Sequence, residues 1–181
     1  MWKRVLIITA LVAIIVIFGV WAENEIKKIR IDDFSREIKE EVVVSPTQSE
    51  REKAIVSRVI DGDTIELSDK RKVRYIGINS LEIDDKRSEI KCLAEKAKEI
   101  NQKLVEGKEI EMENDLSETD KYGRLLRYVW IENKMVNLEL VEEGWAEIST
   151  YPPDVKYQEE LLNAQKRAKI NYLGMWGKEC Q

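Results

Sequence analysis

The sequence predicts an α+β domain: a small barrel of five short strands with three helices packed around it, preceded by one apolar N-terminal helix. Two observations carry the domain. Short runs rich in Val and Ile alternate with turn signals from residue 51 onward, and three later stretches show apolar residues at helical spacing. The N-terminal helix rests on a third, an uncharged, largely apolar run of the length that spans a bilayer.

The chain opens Met1-Trp2-Lys3-Arg4 and then runs apolar from Val5 to Ala22, interrupted only by Thr9 and Gly19. Eighteen helical residues rise about 27 Å, close to the roughly 30 Å hydrocarbon core. Lys3 and Arg4 precede the run, so the positive-inside rule places the following domain outside the cytoplasm. Two readings stay open: an uncleaved signal anchor through residues 5–22, which leaves the protein on the membrane, or a signal peptide cut after Ala22, which secretes it. The next segment, 23–50, is polar and mixed in charge. Ile31, Phe34, Ile38 and Val42 recur every three or four residues, as in an amphipathic stalk, and plain disorder is the other reading. Ser45-Pro46-Thr47-Gln48-Ser49 reads as a linker. The third segment, 51–181, is the folded domain, large enough for one buried core.

Within it, Ala54–Ile60, Thr64–Ser68 and Val73–Ile78 read as strands, separated by Asp61-Gly62-Asp63 and Asp69-Lys70-Arg71-Lys72. Ile90, Leu93, Ala97, Ile100 and Leu104 then mark a helix closed by Gly107. Glu109–Glu113 and Leu125–Ile131 are two further strands, and Asn133-Lys134 marks a turn. Val136, Leu140 and Val141 form a short helix stopped by Gly144. Pro152-Pro153-Asp154 begins a last helix, with Tyr157, Leu161, Ala164 and Ala168 on one face. Strands this short and few close best as a barrel. Val73, Tyr75, Ile76 and Ile78 are apolar on both faces of their strand, as expected where helices cover the outside.

Composition excludes several chemistries. There is no histidine, so imidazole bases, imidazole metal ligands and Ser-His-Asp triads are absent. Hydrolysis here must run on carboxylates, arginines and a hard metal. Residues 51–181 carry 23 basic and 27 acidic side chains, a net −4, which rules against a broad DNA-binding face. A nucleic-acid substrate would need positive charge focused at one place.

Three segments could do chemistry. Asp61-Gly62-Asp63-Thr64 is a common turn, and also a way to hold a carboxylate at a strand start facing a cation. Arg74 through Glu82 sets an arginine in an apolar strand, then offers an amide, a backbone carbonyl and a carboxylate in Asn79-Ser80-Leu81-Glu82. Asp120-Lys121-Tyr122-Gly123-Arg124 reads alone as a charged turn. Together they supply a cation to neutralise a phosphate oxygen, two planar guanidinium donors and a carboxylate to orient or deprotonate water.

Taken in order, these segments resemble the staphylococcal nuclease (thermonuclease) family over about residues 53–177. The resemblance implies an oligonucleotide-binding (OB-fold) barrel with three helices, and a calcium-dependent nuclease that cuts single- and double-stranded DNA and RNA with little sequence preference and leaves 3′-phosphates. By position, Asp63 matches the carboxylate calcium ligand, and Ser80 the residue whose backbone carbonyl binds calcium. Arg74 and Arg124 match the two phosphate-binding arginines, and Glu82 the glutamate described as general base. Tyr122 matches a tyrosine near the phosphate, and Tyr151 stands in for a base-stacking tyrosine. Two positions depart from the pattern. The second calcium-binding aspartate is Asn79, which keeps an oxygen but loses a charge, and the proline before the glutamate is Leu81. Weaker metal binding is therefore expected. Exported relatives also place a cysteine near the first helix and another behind a terminal Trp-Gly, which implies a Cys92–Cys180 disulfide; two free thiols are the alternative. A monomer is expected. Against the exported nuclease stand a noncatalytic binding barrel, to which Asn79 points, and an anchored structural domain, which leaves the three segments unexplained.

Overall fold

The computed structural model describes residues 51–180. The expected membrane helix, the cleavage site after Ala22 and the stalk all lie outside the described residues. No helix among the described residues is long and apolar enough to cross a membrane.

The strands are β1 (Glu52–Val59), β2 (Thr64–Leu67), β3 (Lys72–Tyr75), β4 (Ile78–Asn79), β5 (Glu109–Glu113), β6 (Leu125–Ile131), β7 (Lys134–Met135) and β8 (Glu147–Ile148). The helices are α1 (Ser88–Val105), α2 (Val136–Glu142) and α3 (Gln158–Ile170). β1, β2, β3, β5 and β6 form the closed barrel: the order β3-β2-β1-β5-β6 is completed by a parallel β3–β6 pairing. β1 makes closure possible by bending. Its first half pairs with β5, its second half with β2, and the β2 register slips between Val56 and Arg58. β7 extends β6 at one end.

The barrel interior is filled by the residues the Val/Ile runs placed there. Val56, Ile65, Leu67, Val73, Tyr75, Ile110 and Val129 are each at most 1% exposed and share one cluster with Leu140 and Val141 of α2 and Leu161 and Ala164 of α3. Ile76 belongs to a second cluster with Tyr128 and Met135, so the 73–78 segment is buried on both sides, as its sequence predicts. α1 packs through Leu93, Ala94, Ala97 and Val105. Its one buried polar side chain, Asn101, accepts the Tyr75 hydroxyl at 3.0 Å and donates to the Asp61 carbonyl at 3.3 Å. The buried amide therefore costs little and ties the helix to the β1–β2 turn.

Two expectations need correction. The strand expected over Val73–Ile78 is two strands. β3 stops at Tyr75, the chain turns at Gly77, and β4 pairs with β8 in a separate two-stranded sheet. The last helix starts at Gln158, not at Pro152-Pro153-Asp154. A residue preceding proline is pushed out of the helical region. The Asp154 carboxylate instead accepts the amides of Leu116 and Ser117, at 3.0 and 2.8 Å, and so holds the β5–β6 loop.

Cys92 on α1 and Cys180 behind the C-terminal Trp176-Gly177 turn are bonded to each other, with Cα atoms 6.0 Å apart.

Candidate active site

The site is assembled where β2, β3 and β6 lie side by side. Thr64 is registered against Arg74, and Arg74 against Leu126. Asp63 precedes β2 and Arg124 precedes β6, so barrel closure brings the ends of all three distant segments together. The Tyr75 amide also bonds to the Asp63 carbonyl at 2.9 Å, which pins the Asp61–Asp63 turn to the end of β3.

Asp63 is 4% exposed. Its Oδ1 meets Arg74 Nη1 at 3.1 Å and accepts the Thr64 hydroxyl at 3.0 Å. Its Oδ2 accepts the Ser80 amide at 2.6 Å. Burial pushes this carboxyl up to about 6, against the opposing pull of the Arg74 charge. Arg74 also donates to the Tyr75 carbonyl and, through Nη2, to Asn79 Oδ1, both at 3.0 Å. Asn79 Nδ2 in turn donates to the Ser80 carbonyl at 3.2 Å. Asp63, Arg74, Asn79 and Ser80 therefore form one connected polar cluster.

The Asp120–Arg124 turn supplies the second guanidinium. Gly123 adopts φ of +78°, a conformation that favours glycine and lets the turn close on itself. Asp120 organises it. Its Oδ1 accepts the amides of Tyr122 and Arg124, at 2.9 and 3.0 Å, and its Oδ2 accepts Arg124 Nε at 2.6 Å. Partial burial opposes ionisation of Asp120, yet these bonds hold it below the usual carboxylate range. Arg124 also lies 5.6 Å from the Tyr122 ring.

Arg74 and Arg124 line one cleft of about 580 Å³ together with Lys121, Tyr122 and Tyr151. Tyr122 and Tyr151 are 73% and 75% exposed, so both rings are open to solvent at the cleft. Three cationic side chains thus converge on one opening of a domain whose net charge is negative. Glu82 is the outlier. It lies two residues beyond Ser80, exposed, and its carboxylate meets no partner among the described residues. Contacts tie the other sequence-predicted residues into the cluster or the cleft, but not Glu82.

Among the described residues, no group of three or more acidic or cysteine side chains is poised around one point. The oxygens available beside Arg74 are the Asp63 carboxylate, the Asn79 amide oxygen and the Ser80 carbonyl. All are oxygen donors, which fits a hard divalent cation better than a soft metal such as Cu(I).

The role of Asp120 is not legible in its motif, because only the folded turn shows its carboxylate holding Arg124. Asn101 carried no local signal at all. Its bonds to Tyr75 and Asp61 join residues 26 and 40 positions apart.

A closed five-stranded barrel with three helices is a barrel of the oligonucleotide-binding kind, and here its cleft is lined by two arginines and two exposed tyrosines. The staphylococcal nuclease homologue family model matches residues 72–178, and the chain belongs to this family. It is 36% identical to the thermonuclease of Staphylococcus intermedius over 136 residues, 73% of this chain and 80% of that protein. It is 35% identical to the thermonuclease of Staphylococcus hyicus over 125 residues, 67% and 73% of the two chains. Endonuclease YncB of Bacillus subtilis is 33% identical over 139 residues, 74% of this chain and 66% of that protein. The family match includes Arg74, Asn79, Ser80, Glu82, Tyr122, Arg124 and Tyr151; Asp63 precedes it.

Proposed function

We propose that this protein is a calcium-dependent nuclease that hydrolyses phosphodiester bonds in DNA and RNA, single- or double-stranded, with little sequence preference. The observation that carries the reading is the convergence of Arg74 and Arg124 on one cleft flanked by exposed tyrosines. A guanidinium pair grips phosphate oxygens, which every nucleotide offers, and reads no base edge. The nuclease names of the relatives point the same way.

In this reading Asp63, Asn79 and Ser80 would hold a calcium ion, which would supply positive charge beside the scissile phosphate. Arg74 and Arg124 donate to the remaining equatorial oxygens and favour the charge that builds as phosphorus becomes five-coordinate. Asp120 keeps Arg124 extended along the turn and limits its rotamers before substrate arrives. Glu82, exposed and without a partner among the described residues, is free to accept a proton from the attacking water. Tyr151 offers a face on which a base stacks, which tolerates any base, and Tyr122 stands beside Arg124 at the phosphate. Attack that expels the 5′-oxygen leaves 3′-phosphate ends.

The test is cleavage of single-stranded DNA by the full-length chain. Rapid cleavage is expected at millimolar calcium, and none after a chelator is added. No cleavage at millimolar calcium would leave a noncatalytic binding barrel, the reading that Asn79 favours.

We further propose that residues 5–22 anchor the chain in a membrane, or export it if cut after Ala22, with residues 23–50 as a stalk and the 51–181 domain, monomeric, outside the cytoplasm. An oxidising compartment preserves the Cys92–Cys180 bridge. The bridge closes 88 positions and stabilises by roughly 2–4 kcal/mol. Cys92→Ser with Cys180→Ser is therefore expected to lower Tm while cleavage at 20 °C persists, because neither cysteine lies in the cleft. An unchanged Tm would mean that the bridge contributes nothing.

A further inference from the structure

A second groove, of about 620 Å³, opens where the β6–β7 hairpin, α2 and the start of α3 meet. It shares no lining residue with the cleft of Arg74 and Arg124. Trp130, Met135, Leu138 and Tyr157 give it apolar walls. Trp130 and Tyr157 meet edge to face, with ring centroids 5.8 Å apart and ring planes at 70°. Rings set at that angle form two walls of a cage, and aromatic faces attract ammonium groups. Both rings already draw a cation on the side away from the groove. Arg51 lies 3.8 Å over Trp130 and Lys156 lies 5.4 Å from Tyr157, and neither cation lines the groove.

Carboxylates surround these walls. Glu139 and Glu142 lie on α2, Glu143 caps it, and Glu160 lies in the first turn of α3. Arg167 pairs with Glu142 at 2.8 Å, whereas Glu139, Glu143 and Glu160 have no ion-pair partner among the described residues. Four carboxylates against Lys134 and Arg167 leave a net charge of −2. Partial burial raises the Glu143 carboxyl above its ordinary value, and the Glu139 charge adds to the rise. A cation entering the groove relieves that repulsion. Glu139 and Glu143 are four positions apart, so they share one helical face with Cβ atoms about 5–6 Å apart. Ammonium groups joined by a short methylene chain have a matching separation.

We propose that this groove binds a linear aliphatic polyamine, with ammonium groups on Glu139, Glu143 and Glu160 and methylene segments along Trp130, Met135 and Leu138. The two halves of the lining select this class together. A hydrated metal ion gains nothing from the apolar walls. A wholly apolar ligand would strip water from the carboxylates without replacing it. A polyamine carries cationic heads and apolar spacers in one flexible chain, and the groove has the volume of a small-ligand site. Polycations of this class also join the counterion atmosphere of nucleic acids, so the ligand is at hand wherever the proposed substrate is. The site stands apart from the nuclease reading, because no residue is common to the groove and the cleft.

The experiment is calorimetric titration of spermidine into the full-length protein, in buffer free of nucleic acid and divalent metal. One spermidine is expected to bind per chain, at least tenfold tighter than butylamine, which has the alkyl chain but a single charge. Glu143→Gln with Glu160→Gln is expected to weaken spermidine at least tenfold. Both side chains are exposed, so the fold is expected to persist, and circular dichroism verifies it. Glu95→Gln with Glu99→Gln removes the same two charges from exposed positions on α1 and is expected to change affinity less than twofold. Trp130→Leu keeps the carboxylates and is expected to weaken spermidine at least threefold while leaving butylamine and spermidine closer in affinity. Spermidine binding no tighter than butylamine, or equally to the native chain and the Glu143/Glu160 variant, would overturn the proposal. An equal loss in the Glu95/Glu99 variant would reduce the effect to general surface attraction and overturn it too. Binding of pentalysine without binding of spermidine would make the groove a docking site for a basic peptide instead.

Discussion

Arg74→Ala is expected to lower cleavage by roughly 10²–10³-fold and to destabilise the fold at the same time. The rate loss is what removing one preorganised donor to a developing charge typically costs. The stability loss has a separate cause. Arg74 is the cation facing a nearly buried carboxylate, at 3.1 Å from Asp63. Without it Asp63 keeps only the Ser80 amide and the Thr64 hydroxyl. A loss of about 2–3 kcal/mol is expected, below the value for a fully stranded charge because the carboxyl can take up a proton. Arg124→Ala is the internal contrast. Arg124 lies at the rim, and its partner Asp120 retains two backbone amides. Its removal should cost similar activity with little change in Tm. Initial rates on single-stranded DNA and thermal melts in chelator separate the two effects. Equal losses of Tm in both variants would overturn the assignment of Arg74 as the partner of Asp63.

The same pair gives a pH signature. Asp63 in the folded protein sits at about 6, above the ordinary aspartate value of 3.8. A carboxyl raised on folding holds its proton more tightly in the native state. Its stabilising contribution is therefore complete below the unfolded value and is lost as pH rises through the folded one. In Arg74→Ala the folded value moves higher still. The deficit of the variant relative to the native chain should then be smaller at pH 5 than at pH 8, with both melted in chelator. A deficit that grows toward acid would mean that another group governs it.

The barrel was legible because it is written locally. Val56, Ile65, Val73 and Val129 lie in apolar runs bounded by turn residues, and each is buried in the core. β4 and β8 were not legible, because two residues carry no periodicity and the pairing of Asn79 with Glu147 spans 68 positions. The start of α3 is not legible either, because Asp154 looks like a helix start, whereas its carboxylate serves Leu116 and Ser117, 38 and 37 positions away. The site divides in the same way. Residue identities at Asp63, Arg74 and Arg124 suggested a phosphate pocket, but the sequence could not show that Arg74 bonds Asn79, or that Asp120 holds Arg124. Those contacts are set by rotamers that exist only once β3 and β6 lie side by side.

Gly62→Ala is the smallest change expected to disable the site. A Cβ at Gly62 would lie 2.6 Å from Ser80 Cβ, 2.8 Å from Ser80 Oγ and 3.0 Å from Ala97 Cβ. The hydroxyl can rotate away, but the two Cβ atoms are fixed to backbone. Either the loop carrying Ser80 must lift from the Asp61–Asp63 turn, or the turn must lift from α1. Lifting the loop stretches the 2.6 Å bond from the Ser80 amide to Asp63, and Asn79 and Glu82 move with it. Overpacking of this kind costs about 1–3 kcal/mol. Cleavage should fall by more than about a hundredfold, because the proposed ligands and the proton acceptor are displaced together while positioning tolerances are well under an ångström. Adding Ser80→Gly should restore part of both losses. It removes the Cβ and Oγ that collide and keeps the backbone amide and carbonyl that Ser80 contributes. Rates at 20 °C, where circular dichroism confirms the fold, distinguish this from simple unfolding. If the single variant cleaves like the native chain, the close approach of the Asp61–Asp63 turn to Ser80 has no part in building the site.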